Sequence, residues 1–388
     1  MKETDYLIIG NGIAGLSAAE EIRKNDKNCD ITMISKEKYL TYFRPKLSHN
    51  LVSEFNLESI FVKKPEWYDA NEIELLLGTE VTKFDFDNNL VRTISEDIGY
   101  KTIILTIGSY PFIPPIEGKE MEGVFTLRNY EDLLKIKNYM NDKSEISVIG
   151  GGLLGLEAAW ALKKAGKDVR IIECAECLLV NQLDLESSSY LQDYLLNEGF
   201  KTSIFSDIDE IFGENRVQGI SVGGKRFSSD AVLVSTGVRP SVAQLNETGL
   251  NINRGLIVNK NMKTNIDNVY AAGDISEFDN KICGLWTIAS DQGKCVGKNA
   301  VGIKSDYIFP DPFTIINLGK INIFSMGNVK NYDEVFEDKS LNKNAKLFLK
   351  DKRITGGILI NNVKLINKLK SIIGKKYNYA LDVSSNFE

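Results

Sequence analysis

Short apolar runs alternate with glycine-rich turns and amphipathic segments along most of the chain, and one such arrangement occurs twice. An apolar run of strand length (residues 5–9 and 146–149) leads into a glycine cluster (residues 10–15 and 150–155), and a segment with helical patterning follows (residues 16–24 and 156–164). A strand, a G-x-G-x-x-G turn and a helix in that order are typical of a dinucleotide-binding βαβ unit. The pattern therefore predicts two Rossmann-like domains in one chain.

Each glycine of these turns has its own physical role. The first allows the tight turn, the second lets a pyrophosphate approach the backbone, and the third lets the helix pack on the strand. The N–H groups and the positive dipole end of the helix N-terminus attract phosphate. The predicted contacts are Gly10, Gly12, Ile13, Ala14 and Gly15 in the first copy, and Gly150, Gly152, Leu153, Leu154 and Gly155 in the second.

The residue that follows the second strand of each unit selects the nucleotide. Glu173 ends that strand in the second copy, where a carboxylate accepts hydrogen bonds from both ribose hydroxyls and repels a 2′-phosphate. Arg170 precedes it, but strand alternation directs Arg170 away from the strand end. The second unit is therefore predicted to bind NADH rather than NADPH. In the first copy, Lys36 and Glu37 occupy this place, and the sequence leaves open which of them meets the ribose.

Apolar strands followed by prolines mark where the chain crosses between domains. One crossover lies near residues 99–115 and a second near residues 231–240. They predict a first domain, residues 1–113 and 237–305, with a second domain, residues 114–236, inserted in it. Short alternating strands at residues 313–318, 321–326, 345–349 and 354–360, and an amphipathic helix at 363–373, predict a small α+β C-terminal domain over residues 306–374, followed by a tail at 375–388. The predicted fold class is α/β.

Composition narrows the class of protein. The chain has 388 residues, 43% apolar and 26% charged, which is ordinary for a globular protein of two or three domains. No apolar stretch reaches the ~18 residues of a membrane span, and the first glycine turn begins at Gly10, which leaves little room for a signal peptide. Five cysteines do not form a disulfide framework. We therefore expect a cytoplasmic protein without a membrane partner.

Charge is unevenly distributed along the chain. The net charge is −6, which gives no general footprint for nucleic acid. Residues 306–388 nevertheless carry thirteen Lys and Arg against nine Asp and Glu. The C-terminal segment is therefore a candidate docking surface for an acidic partner, and scattered solubilising lysines are the alternative.

Further motifs identify a family. The two glycine turns, the Thr-x-Gly turns at Thr106 and Thr236, the segment 264–274 that ends in Gly273-Asp274, and the run Arg44-Pro45-Lys46-Leu47-Ser48 all match one pattern. On these residues the chain resembles the FAD-dependent pyridine-nucleotide oxidoreductases over nearly its whole length, and is most similar to the rubredoxin-reducing branch. The resemblance implies FAD in the first domain, NADH in the second, and electron transfer to rubredoxin, a small acidic protein.

The resemblance also assigns residues to the two cofactors. It implies further FAD contacts by Lys36 or Glu37, Arg44, Pro45, Val81, Thr106, Ile107, Gly108, Gly273, Asp274 and Trp286, and NADH contacts by Glu157, Glu173 and Gly237. The candidates next to the flavin are Arg44, Pro45, His49 and Glu157. Three of these roles have plainer alternatives: a surface His49, a solvated Glu157 in the first turns of its helix, and a core Trp286.

Some reactions of the family are excluded because their cysteines are missing. The disulfide reductases need a C-x4-C pair after the first glycine-turn helix, and the peroxide, oxidase and coenzyme A disulfide branch needs a cysteine near Phe43 and Arg44. Cys174 and Cys177 form a C-x-x-C motif beside Glu173, which we interpret as structural, and no metal site is predicted. Cys29, Cys283 and Cys295 are scattered, and we assign them no chemistry.

The remaining chemistry is that of the two cofactors. NADH gives a hydride to the flavin, which releases electrons one at a time, so the resemblance implies an NADH:rubredoxin electron transfer enzyme. Other acceptors stay open: ferredoxin, a nitrite-reductase partner or dioxygen. An NADH-responsive signalling flavoprotein is the alternative from a different class. The C-terminal domain is small and lacks the histidine-bearing segment through which disulfide reductases dimerise, so we expect a monomer.

Overall fold

The computed structural model describes residues 2–51, 54–282, 284–338 and 344–378. The chain forms two compact units. The first contains Met1–Leu47, Phe55–Phe112 and Gly237–Phe309, and the second contains Ser48–Glu54, Ile113–Thr236 and Pro310–Glu388. The predicted third domain, residues 306–374, falls in the second unit from Pro310 onwards, and its first four residues belong to the first unit.

The described residues form groups of strands separated by single α-helices. The strands are β1 (Lys2–Ile9), β2 (Ile31–Ser35), β3 (Ile73–Leu77), β4 (Val81–Asp85), β5 (Leu90–Thr93), β6 (Asp97–Leu105), β7 (Ser109–Pro111), β8 (Val124–Thr126), β9 (Glu145–Ile149), β10 (Asp168–Glu173), β11 (Lys201–Ile204), β12 (Ile208–Gly213), β13 (Val217–Val222), β14 (Lys225–Ser228), β15 (Ala231–Val234), β16 (Val238–Pro240), β17 (Leu256–Ile257), β18 (Val269–Ala271), β19 (Ser276–Glu277), β20 (Phe313–Leu318), β21 (Ile321–Gly327), β22 (Glu334–Asp338), β23 (Ala345–Lys350) and β24 (Arg353–Ile360). The helices are α1 (Ile13–Asn25), α2 (Pro65–Ala70), α3 (Tyr130–Met140), α4 (Leu153–Lys164), α5 (Leu185–Asn197), α6 (Trp286–Ala300) and α7 (Ile366–Ile372).

The first unit is built on one large sheet. Its strand order is β3-β2-β1-β6-β5-β4, and β18 pairs with the C-terminal half of β6. Strands β3, β2, β1, β6 and β18 run parallel, and their side chains form an apolar core with α1 and α6. The parallel arrangement brings the carboxyl ends of β1, β2 and β6 to one edge of the sheet, where ligands of such folds bind.

The second unit contains a smaller parallel sheet of the order β11-β10-β9-β15-β8. Neighbours β10 and β9 pair from Asp168 with Glu145 to Ile172 with Ile149. An antiparallel sheet, β12-β13-β14, packs its apolar residues on β9, β10 and β15. Both parallel sheets therefore carry the Rossmann order around a central glycine-turn strand.

The C-terminal part is an antiparallel sheet with one helix. Its strand order is β20-β21-β24-β23-β22, and Leu369 and Ile372 of α7 are buried against it. Tyr194 of α5 donates a hydrogen bond to the Leu318 carbonyl at 2.8 Å and accepts one from the Lys320 N–H at 3.0 Å. The predicted α/β fold class with a small α+β C-terminal part is confirmed.

Several predicted limits need correction. Helices α1 and α4 begin at Ile13 and Leu153, three residues before the predicted starts, because Gly12 and Gly152 themselves cap them. The predicted helix over 363–373 is a short 3-10 turn, Val363–Leu365, followed by α7. Strand β22 is not predicted from the sequence. Among the residues described, no helix combines the length and apolar character that crossing a bilayer requires.

Candidate functional site

The first glycine turn is shaped by contacts that exclude side chains at two of its three glycines. Gly10 has φ +117°, and a Cβ there would overlap the Thr106 carbonyl oxygen. A Cβ at Gly15 would overlap the Gly10 carbonyl oxygen, whereas one at Gly12 would meet no described atom within 4 Å. The Thr106 hydroxyl donates to the carbonyls of Ile9 at 3.0 Å and Gly10 at 2.9 Å. The turn therefore leaves its middle glycine open to a ligand.

The second turn repeats this geometry. Gly150 has φ +114° and would collide with the Ser235 carbonyl if it carried a Cβ, and Gly155 would collide with the Gly150 carbonyl. Gly152 again faces open space. Glycine at the N-cap offers no side-chain acceptor, so the first N–H groups of α1 and α4 point into the open side of each turn. Both turns fit a pyrophosphate.

Glu173 joins the end of β10 to the second glycine turn. Its Oε2 accepts a hydrogen bond from the Gly151 N–H at 2.6 Å, and its Oε1 accepts one from the Ala175 N–H at 2.7 Å. Each carboxylate oxygen has further lone pairs for a ribose hydroxyl. The Arg170 guanidinium lies 3.7 Å from the centre of the Phe227 ring, so it is directed to β14. Because Arg170 is directed away, it does not provide a cation for a 2′-phosphate beside the Glu173 carboxylate. This end of the site therefore fits NADH.

Lys36 and Glu37 lie in different environments. The Lys36 ammonium pairs with Glu80 at 2.9 Å and its side chain is 77% exposed. Glu37 accepts hydrogen bonds from Arg44 at 2.8 Å and from the Tyr42 hydroxyl at 2.6 Å. Glu37 is therefore held in a hydrogen-bonded cluster beside the end of β2, whereas the Lys36 side chain extends into solvent.

The second flavin motif is held by a buried glutamine. Gly273 has φ +79° and donates its N–H to the Gln292 Oε1 at 2.8 Å. The same oxygen accepts the Ser276 hydroxyl at 3.0 Å. The neighbouring Asp274 accepts a hydrogen bond from the Ser109 hydroxyl at 2.8 Å and interacts electrostatically with Arg44. Asp274 is therefore fixed between two parts of the first unit.

Glu157 and Ser48 form a partly buried pair in the second unit. The Ser48 hydroxyl is buried and donates to the Glu157 Oε2 at 3.1 Å. Burial raises the pKa of the Glu157 carboxyl, and the His49 ring and the Ser48 hydrogen bond oppose that rise. His49 itself is exposed, and its Nδ1 lies 3.5 Å from the Ser48 hydroxyl.

The remaining predicted contacts occupy turns and helix starts. Trp286 is the first residue of α6, and its ring meets the Phe43 ring edge-on at 4.9 Å. The others are Val81, buried at the start of β4; Pro45, exposed in a short 3-10 turn; Ile107 and Gly108, after β6; Gly237, whose carbonyl accepts the Phe112 N–H; and Ile13, Ala14, Leu153 and Leu154, in the first turns of α1 and α4. Gly237 lies in the first unit, although it is predicted as an NADH contact.

Sequence reasoning misses the residues that act through long-range hydrogen bonds. Gln292 and Ser109 are in this group, and Tyr42, whose partner Glu37 is close in sequence, is missed as well. Only Gln292 carries a local signal, since a polar residue on the apolar face of α6 requires a buried partner.

No metal or disulfide chemistry joins this site in the part of the chain that the structure describes. Cys29, Cys174, Cys177 and Cys295 are free thiols. Burial is the largest cause that raises the pKa of the Cys174 and Cys177 thiols, which keeps both protonated at neutral pH. No three His, Cys, Asp or Glu side chains of the described residues cluster as metal ligands do. Cys283 lies outside the described residues.

Comparison with known proteins agrees with this geometry. A family model described as pyridine nucleotide-disulphide oxidoreductase matches residues 4–293, and one described as the rubredoxin NAD+ reductase C-terminal domain matches residues 312–377. The chain is 34% identical over 383 residues to the NADH-rubredoxin oxidoreductase of Clostridium acetobutylicum, covering 98% of this chain and 97% of that protein.

One further relative and one solved structure support the same placement. An NADH oxidase of Methanocaldococcus jannaschii is 34% identical over 339 residues, which cover 83% of this chain and 75% of that protein. The crystal structure of NADH:rubredoxin oxidoreductase from Clostridium acetobutylicum superposes with a TM-score of 0.84 at 32% identity, covering 99% of each chain. The resemblance inferred from the motifs is confirmed, and the chain belongs to the pyridine nucleotide-disulphide oxidoreductase family.

Proposed function

We propose that this protein is an FAD-dependent oxidoreductase that takes hydride from NADH and passes single electrons to rubredoxin. The observation that carries the proposal is the pair of glycine turns, each with an open middle glycine, in a chain whose C-terminal part matches the rubredoxin NAD+ reductase model. Bound FAD supplies the chemistry, since it accepts a hydride and releases electrons singly. The four free thiols fit the reducing conditions of the cytoplasm, where we place the protein.

We also propose which part of the chain holds each cofactor. Residues 1–113 and 237–305 hold FAD, residues 114–236 hold NADH, and residues 306–374 form the C-terminal domain, followed by the tail at 375–388. In the FAD part, the turn at Gly12 takes the pyrophosphate, and Asp274, fixed by Ser109, accepts hydroxyls of the ribityl chain. Glu37, held by Arg44 and Tyr42, meets the adenosine ribose in preference to Lys36.

In the NADH part, the turn at Gly152 binds the pyrophosphate and Glu173 accepts the ribose hydroxyls. Glu157 and Ser48 are positioned by their mutual hydrogen bond, and we propose that they line the nicotinamide end of the site. The chain provides no paired thiols for a relay in the part that the structure describes, so its task is to bind and orient the two cofactors.

The acceptor is tested anaerobically with the purified flavoprotein, NADH and oxidised rubredoxin, by following the visible absorption of rubredoxin. Bleaching far faster than that of ferredoxin at equal concentration supports the proposal. If NADH bleaches the flavin and rubredoxin stays oxidised, the acceptor is wrong and the NADH half-reaction stands. Dioxygen is tested in the same preparation by peroxide formation in air, since one relative is an NADH oxidase.

The docking surface that we propose for rubredoxin is the hairpin tip between β23 and β24. It carries Lys350, Lys352 and Arg353, all at least partly exposed. Lys350 pairs with Asp333 at 2.7 Å, and this exposed ion pair is weak because solvent screens it. Lys350 can therefore leave Asp333 and pair with carboxylates of an acidic partner. We propose that the enzyme is a monomer and meets this partner in transient encounters.

We expect reversal of Lys350, Lys352 and Arg353 to Glu to raise the rubredoxin KM at least about tenfold at low salt, because electrostatic steering becomes repulsion. The matched control reverses Lys320, Lys364 and Lys368, which are exposed elsewhere in the same domain. Both variants should keep the wild-type rate of flavin reduction by NADH. Equal KM values for the two triple variants would rule out docking at this tip.

A further inference from the structure

One aromatic side chain of the second unit is both exposed and held in an unfavourable backbone conformation. Phe205 follows β11 directly, is 77% exposed, and has φ +53°. Residues with bulky side chains rarely adopt the left-handed backbone region. An exposed phenyl ring also lacks the stabilisation that burial of apolar surface provides. Residues kept in such conformations concentrate at functional sites.

The position of Phe205 is fixed by hydrogen bonds to the end of β10. Its N–H donates to the Ala175 carbonyl at 3.2 Å, and the Ser206 N–H donates to the Glu173 carbonyl at 3.2 Å. The Glu173 side chain in turn accepts the Gly151 N–H of the glycine turn. The carboxyl ends of β11, β10 and β9 are thus linked in one row, and Phe205 stands at its outer end.

This row defines the direction in which a dinucleotide lies. The pyrophosphate belongs at the glycine turn after β9, and the adenosine ribose belongs at Glu173 after β10. The base attached to that ribose continues towards β11. The first residue after β11 is therefore placed to meet a flat apolar ring, and Phe205 presents one.

We propose that Phe205 is the adenine-binding platform of the NADH site, on whose ring the base stacks. This inference rests on the proposed function, because it requires NADH in the second unit. Stacking covers the ring that is otherwise exposed and offsets the unfavourable φ. The carboxylates of Glu173 and Asp207 both interact electrostatically with Cys174 at this end, which disfavours a further anionic group there and favours the uncharged base.

The test uses the oxidised, FAD-loaded enzyme and the fragment ADP-ribose, measured by titration calorimetry. Phe205→Ala should raise the Kd of ADP-ribose about tenfold, since a base stacked on an aromatic ring is lost. Phe205→Trp should restore binding. Tyr190→Ala removes another exposed aromatic residue of the same unit and should leave the Kd unchanged.

A second readout separates the adenine end from the nicotinamide end. In anaerobic stopped-flow experiments, Phe205→Ala should raise the NADH concentration that gives half the maximal rate of flavin reduction. The rate with reduced nicotinamide mononucleotide, which has no adenine, should equal that of the wild type.

The outcomes distinguish this inference from the function on which it rests. Equal ADP-ribose affinities for wild type and Phe205→Ala would overturn the platform and leave the NADH reaction intact. An unchanged affinity with a raised rubredoxin KM would also overturn it, and would assign Phe205 to protein docking. If the wild type binds no ADP-ribose and NADH leaves the flavin oxidised, both proposals fail together.

Discussion

Glutamates of this protein differ in function because their surroundings differ. Glu173 accepts two backbone N–H groups and keeps the strand end and the glycine turn together. Glu37 is held by a guanidinium and a phenol hydroxyl. Glu157 has only the Ser48 hydroxyl and an exposed His49 to offset its partial burial. The first two are held by several donors each, whereas burial disfavours the ionised form of Glu157.

Replacement of Glu157 by Gln should change how stability depends on pH. Because burial raises the pKa of Glu157 above its ordinary value of 4.5, the native state binds this proton more tightly than the unfolded chain does. Wild-type stability relative to Glu157→Gln should therefore fall as the pH rises from the unfolded pKa through the native pKa. The loss of unfolding free energy is about 1.4 kcal/mol for each unit by which the native pKa of Glu157 exceeds its unfolded pKa.

Urea unfolding of both FAD-loaded proteins at several pH values between 4 and 8 measures this difference. The Gln amide can still accept the Ser48 hydrogen bond, so the comparison isolates the charge. If the two curves of stability against pH stay parallel over this range, folding does not raise the pKa of Glu157.

At the scale of elements, α6 connects the second flavin motif to the first glycine-turn helix. Glycines of α6 allow close packing on α1, since a Cβ at Gly293 would overlap the Ala14 carbonyl and one at Gly297 would approach the Ala18 carbonyl. Gln292 lies beside Gly293 and binds the turn that precedes Asp274. The helix thus supports both segments that we propose for FAD.

Gln292→Leu should release this support. The substitution leaves the Gly273 N–H without its buried acceptor, which costs about 1–3 kcal/mol of unfolding free energy, whereas the Ser276 hydroxyl keeps the Gly273 carbonyl as an acceptor. It should also weaken FAD binding, because the Gly273-Asp274 turn loses its fixed conformation. Gln292→Glu retains an acceptor oxygen and should recover much of the affinity for FAD.

FAD affinity is measured by the quenching of flavin fluorescence on titration into the FAD-free protein, beside urea unfolding of the same preparation. A merely structural role would lower stability and leave the FAD Kd unchanged. That result would remove Gln292 from the flavin site.

The elements differ in how far the sequence predicts them. The parallel strands β1 and β9 are predictable because continuous apolar runs end in glycine turns. Strand β22 is not, because Glu334–Asp338 has only two apolar residues and becomes a strand by pairing with β23. In the site, the glycines and Glu173 follow a local motif. Ser109 is found only in the structure, because its partner Asp274 is distant along the chain.

At the scale of the whole molecule, the basic C-terminal segment is not uniformly available to a partner. Lys346 of β23 is only 3% exposed and pairs with Asp184 at 2.9 Å and Glu186 at 2.8 Å, at the start of α5. Asp184 also caps α5 by accepting the Ser187 N–H. Part of the positive charge therefore holds the second unit together, and the exposed remainder is left for docking.

Lys346→Met should consequently destabilise the protein without a direct effect on rubredoxin binding. Removal of the cation leaves the half-buried Asp184 carboxylate without its counter-charge, and we expect a loss of about 3 kcal/mol in unfolding free energy. The lowered pKa of Asp184 should rise towards its usual value in this variant. Lys350→Met, which breaks an exposed and solvent-screened pair in the same sheet, should lower the unfolding free energy far less.

Urea unfolding of the two variants, together with Lys346→Met combined with Asp184→Asn, separates the contributions. The double variant should recover stability relative to Lys346→Met alone, because a neutral amide tolerates burial better than an unpaired carboxylate. Equal losses from Lys346→Met and Lys350→Met would mean that burial adds nothing to the pair.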